Sequence, residues 1–137
     1  APRMQDQSLS PRLKKIQSWI PHWQELGVET LYFGPVFQSG IHGYDTHDYR
    51  KVDPRLGTND DLKELIDALH EGGIKVIFDA VFNHVGRGFS LFEDVLEKRE
   101  GSEYKDYFHV NFSGNNSYSD GLWYESWEGS ICEMKPS

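Results

Sequence analysis

The stretch "IKVIFDAVF", residues 74 to 82, is almost wholly apolar and rich in β-branched and aromatic residues, with Lys75 and Asp79 as its only charges. A strand with one wet face alternates polar and apolar residues. A run with so little alternation predicts burial on both faces, as in a parallel sheet covered by helices. An earlier run, "VETLYFGPVF" (28 to 37), reads as another strand whose exit turns sharply at Gly34-Pro35. Between the two lies the clearest helix signal. Thr58 with Asp61 resembles a capping box, Leu62, Leu65, Ile66 and Leu69 fall at helical spacing, and Gly72-Gly73 ends the pattern. Strand, helix, strand is a βαβ unit with an expected right-handed crossover, so the fold class is α/β.

Upstream, "SLSPRLKKIQSWIPHWQELGV" (8 to 28) offers Ser10-Pro11, or Ser18 with Pro21 in the first turn, as helix starts. Leu13, Ile16, Ile20 and Trp23 supply the apolar spacing, Gly27 the stop, and Pro21 predicts a kink or a restart. Downstream, "SLFEDVLEKREG" (90 to 101) reads as a short amphipathic helix capped by Ser90 and Glu93. Residues 104 to 129 are polar, aromatic and rich in Gly and Asn. Several of those aromatics are expected to form a small core, with Trp123, Tyr124 and Trp127 the ones suited to lining a carbohydrate groove.

The charge balance narrows the choice of ligand. Lys and Arg total 14 against 22 Asp and Glu, a net charge of −8, which lacks the basic surface nucleic acid binding needs. Neutral ligands fit better. One cysteine, Cys132, cannot form an internal disulfide, no run reaches membrane-spanning length, and "APRMQDQS" lacks a leader's apolar stretch. A reducing, cytoplasmic setting with no membrane partner is the expectation.

The polar residues near the strands carry the chemistry. A carboxylate within a doubly buried strand costs several kcal/mol unless it is met by donors, so Asp79 is either paired inside the fold or on a solvated face. Asn83 and His84 sit at the exit of the same strand, as an ordinary loop cap or as part of an active rim. The loop "HGYDTHDY" (42 to 49) packs two His, two Asp and two Tyr. His42, Asp45 and His47 are suitable metal donors, although neither the spacing nor a Cys partner matches a zinc pattern. Tyr44 and Tyr49 are flat amphipathic surfaces that can stack on a sugar ring or pack locally.

Together these residues resemble the α-amylase family of (β/α)8-barrel glycosidases. "LGVETLYFGPVFQS" resembles its second barrel strand, the stretch from "HGYDTHDY" to "NHVG" resembles its run from strand two to strand three, and Asp79, Asn83 and His84 match D-x-x-x-N-H. The flavour is that of the neopullulanase and cyclomaltodextrinase-like branch. The resemblance implies retaining cleavage or transglycosylation of α-1,4-linked glucans such as starch, maltooligosaccharides or cyclodextrins. It implies that His84 hydrogen-bonds the sugar in the cleavage subsite, that Tyr44 stacks beneath it with Asp45 beside it, and that Asp79 supports the pocket structurally rather than acting as nucleophile. Asn83 matches a position that in many relatives helps hold a calcium ion.

The expected organisation is a partial TIM (β/α)8 barrel over 9 to 86, comprising strands two and three with flanking helices. The start of a domain B excursion follows over 87 to 129, and 130 to 137 form a tail that does not match. A barrel of this type takes about 250 residues. The resemblance implies that the nucleophilic Asp and the acid/base Glu lie on later barrel strands, expected beyond Ser137, and the chain reads as a piece of a larger enzyme. The alternative is an inactive, truncated sugar-binding fragment. A second copy of the chain is a candidate partner beside the α-glucan.

Overall fold

In the computed structural model, the described residues are 8–125 and, as backbone, 131–133. The chain divides into two compact units, one of Ala1–Gln38 with Tyr49–Ala80 and the other of Ser39–Asp48 with Val81–Ser137.

The first unit begins with two short helices, α1 (Arg12–Gln17) and α2 (Ile20–Glu25), with Pro21 in the first turn of the second. Pro11 is the N-cap of α1, but Ser18 closes α1 instead of opening α2, whose N-cap is Trp19; Pro21 in its first turn marks the restart. Strand β1 (Thr30–Phe33) pairs in parallel with a later strand of the sequence order, Lys75–Phe78, in the register Leu31 with Val76 and Phe33 with Phe78. Between them the chain forms β2 (Phe37–Ser39), β3 (Thr46–Val52) and α3 (Asn59–Glu71), which makes Lys75–Phe78 strand β4. Helix α3 carries the capping box: Thr58 Oγ1 accepts the Asp61 N–H at 3.0 Å, and Asp61 Oδ2 accepts the Thr58 N–H at 2.9 Å. Its inner face places Leu65 and Leu69 in a core with Leu13, Ile20, Val52 and Ile74.

Two expectations for this unit need correction. The strands are not buried on both faces. Leu31, Phe33 and Val76 pack on the core, whereas Tyr32 and Ile77 are 61% and 51% exposed, because the helices of this unit cover one face. Period-2 alternation sends neighbours to opposite faces even where both are apolar. The stretch 42 to 49, read as a loop, instead gives Thr46 to Tyr49 to β3, which pairs with β2 as a two-stranded sheet. Thr46, Tyr49 and Val52 give β3 the β-branched and aromatic content that favours a strand.

In the second unit, strand β5 (His84–Gly86) pairs antiparallel with β8 (Ile131–Glu133), and short strands β6 (Val110–Asn111) and β7 (Trp123–Tyr124) pair with each other. Helix α4 spans Ser90–Lys98, but Phe89 is its N-cap and no side chain caps it, so Ser90 is the first helical residue rather than the cap. The aromatic core is real: Phe92 meets Phe108 and Tyr124 edge-on, with centroids 5.2 and 5.0 Å apart. Tyr124, expected near a groove, is therefore a core residue, while Trp123 beside it is exposed. Trp127 and the Cys132 side chain lie outside the described residues.

A polar cluster closes the unit. Asp120 Oδ2 accepts from Arg87 Nη2 at 2.7 Å and from the Tyr124 hydroxyl at 2.6 Å, and the Arg99 guanidinium donates to the Asp120 carbonyl. Burial pushes the Asp120 carboxyl up, but the Tyr124 and Arg87 donors outweigh it and hold the group below the usual carboxylate range. Among the described residues no helix is long and apolar enough to cross a membrane.

Candidate functional site

Residues 39–48 and the segment from Val81 onward fall in the same unit, which therefore holds Tyr44, Asp45, Asn83 and His84. Asp45 organises the loop. Its Oδ2 accepts the Ile41 N–H at 2.7 Å, and its Oδ1 accepts those of His42 and Gly43 at 3.1 and 3.3 Å. The carboxylate is 1% exposed, and three backbone donors offset a desolvation cost of several kcal/mol. Gly43 takes φ +102°, a conformation that favours glycine and lets the chain wrap the carboxylate. The expectation that Asp45 touches sugar therefore meets a side chain turned inward on its own loop. The three donors lie four, three and two residues before Asp45, so no downstream Asx turn announces this role in the sequence.

Beside it, the Tyr44 N–H donates to His42 Nδ1 at 3.2 Å, while the same Nδ1 lies 3.4 Å from Asp45 Oδ1. The first contact requires a bare Nδ1 and the second a protonated one. The backbone hydrogen is fixed in place, so we take Nδ1 as the acceptor and put the ring proton on Nε2. This arrangement ties the Tyr44 backbone down while its side chain is 44% exposed, an open aromatic face.

His84 opens β5 and is 7% exposed. The exposed Asn83 amide lies 3.4 Å from His84 Nδ1. With that amide as donor, Nδ1 is the accepting nitrogen, and the Nε2 atom on the far side of the ring is buried. Asp79 belongs to the other unit and is half-buried rather than enclosed. Its N–H donates to the Phe33 carbonyl at 2.9 Å, one residue past the end of β4, and alternation assigns it the same strand face as Ile77.

The Asn83 amide nitrogen, at the position expected to help hold calcium, faces an imidazole nitrogen of His84. Among the described residues no group of three His, Cys, Asp or Glu stands close enough to hold an ion, so His42, Asp45 and His47 do not assemble as a metal centre.

A family model described as "Alpha amylase, catalytic domain" matches residues 6–135. The chain belongs to the alpha-amylase family. The match continues through residues 130–135, which the sequence reading set aside as tail. This alpha-amylase chain is 48% identical over 99 residues to a cyclomaltodextrinase from Bacillus sp, covering 72% of itself and 18% of that relative. It is equally 48% identical to neopullulanase 2 from Thermoactinomyces vulgaris, covering 72% of itself and 17% of the relative. Among solved structures, the debranching enzyme from Nostoc punctiforme superposes with a TM-score of 0.77 at 41% identity, over 87% of this chain and 26% of that one. The chain thus spans less than a fifth of the length of these two sequence relatives, and its fold is that of a partial (β/α)8 barrel.

Proposed function

We propose that the chain supplies part of the sugar-binding wall of a retaining glycoside hydrolase, or transglycosylase, acting on α-1,4-linked glucans such as maltooligosaccharides and cyclodextrins. The observation that carries the reading is the pairing, in one unit, of an open Tyr44 ring on a pinned loop with the His84 imidazole at the start of β5. An aromatic face stacks on the apolar face of a sugar ring. An imidazole N–H donates to a sugar hydroxyl and so fixes the ring in position for attack at the anomeric carbon. The names of the relatives, cyclomaltodextrinase and neopullulanase, agree with that substrate class.

Retaining cleavage needs two carboxylates about 5 Å apart, one attacking the anomeric carbon and one protonating the leaving oxygen. Asp45 is committed to three backbone donors and does neither. Asp79 keeps the structural part implied by its place in D-x-x-x-N-H. The nucleophile and acid/base are assigned to sequence outside this chain. A second reading, sugar binding without cleavage, draws on that same commitment of Asp45.

Proton NMR of the intact protein incubated with maltotriose decides between them. Release of glucose and maltose whose new reducing end is first seen as the α-anomer is the expected result. Initial formation of the β-anomer would contradict retention, and release at the level of a blank would favour the binding-only reading.

A further inference from the structure

We propose that His47 is a positioning residue, a wedge whose imidazole sets the spacing between the Tyr44 loop and the strand that carries His84. This rests on the reading of Tyr44 and His84 as sugar contacts. Three glycines from the two segments close on the ring. A Cβ added at Gly88 would lie 2.7 Å from His47 Cε1 and 2.8 Å from Nε2, and one at Gly86 would lie 2.6 Å from Cδ2 and 2.5 Å from the Asp45 carbonyl oxygen. At Gly40, on the other segment, it would meet Asp45 Oδ2 at 2.6 Å and His47 Nε2 at 3.1 Å. Real Cβ contacts essentially never fall below 3.0 Å.

Backbone conformation does not explain these glycines. None of the three adopts a left-handed φ, unlike Gly43 or Gly73. What they share is close approach to one ring, and all four residues lie in one unit. Gly86 ends the strand that His84 begins, and the Phe89 N–H bonds back to the Gly86 carbonyl at 3.0 Å, a turn that presents Gly88. His47 in turn lies two residues after Asp45, the residue that pins the Tyr44 loop. Thickening either side of the wedge, or removing it, changes the gap between two groups that must touch the same sugar.

The test is a double-mutant cycle in the intact enzyme on maltotriose, with Tyr44→Ala and His84→Ala run beside it. His47→Ala and Gly88→Ala are each expected to lower kcat/KM by about 10- to 100-fold, mostly in kcat, the scale of a misplacement near 1 Å. His47→Phe, a planar ring without the nitrogens, is expected to recover most of the loss. The double variant His47→Ala/Gly88→Ala should be no worse than Gly88→Ala alone, since the added methyl takes space the ring has left. If Tyr44→Ala and His84→Ala lose activity while His47→Ala and Gly88→Ala keep wild-type kinetics, or if the pair is additive, the wedge is overturned and the sugar-contact reading stands. If Tyr44→Ala and His84→Ala leave the kinetics unchanged, the sugar-contact reading itself fails. Should His47→Ala not fold, as judged by circular dichroism, His47→Phe and Gly88→Ala still decide: loss in the first with none in the second overturns the wedge.

Discussion

Asp45 shows how the chemistry of one residue type divides between binding and architecture. A carboxylate in a loop of His and Tyr reads from sequence as a ligand contact, yet its two oxygens are taken by the N–H groups of Ile41, His42 and Gly43. Asp45→Asn keeps one acceptor oxygen and loses the charge. The amides of Ile41, His42 and Gly43 are therefore expected to exchange with deuterium roughly tenfold faster, corresponding to a lost hydrogen bond worth about 1.4 kcal/mol. Exchange followed by NMR checks this, and unchanged protection would mean the carboxylate does not hold the loop. The types of the site residues were legible in the sequence, and so was their motif. Which of them faces outward was not, because inward and outward carboxylates differ only in backbone donors that the loop creates as it folds. The His47 cradle was hidden for the same reason: glycines at 40, 86 and 88 look like turn residues until the two segments meet.

At the scale of elements, local signals held where the physics is local. The Thr58–Asp61 box, the leucine stripe of α3 and the restart at Pro21 all depend on neighbours within a few residues, and each stands as read. The cap of α4 failed, since Ser90 entered the helix and Phe89 became the N-cap. The covering of the β1–β4 faces also failed, because burial is decided by which layers arrive, not by the strand. In the second unit, the Arg87–Asp120–Tyr124 cluster was invisible in sequence, its partners being 33 and 4 residues apart. It carries a pH signature. Asp120 in the folded chain holds its proton less tightly than in the unfolded chain, so its stabilisation is complete above the usual carboxylate value and is lost as pH falls through the lowered one. Asp120→Asn is expected to flatten the dependence of Tm on pH in the acid range. Parallel Tm curves for the two proteins between about pH 5 and 3 would contradict that role.

For the whole molecule, the exposed Tyr32 and Ile77 take their meaning from the barrel. Strands of a (β/α)8 barrel send alternate side chains to the helices and to the barrel interior. Leu31, Phe33 and Val76 occupy the helix side here, so Tyr32 and Ile77 are on the face that a closed barrel fills with side chains. That face is why a run predicted to be buried twice is half exposed in this chain. We propose that this stretch contributes sugar contacts, chiefly through His84, with bond breaking left to carboxylates elsewhere. Steady-state kinetics of His84→Ala in the intact enzyme on maltotriose test it most directly. A fall in kcat of about 100-fold is expected, the scale of losing one positioned hydrogen bond in the transition state; kinetics equal to wild type would overturn the role of His84.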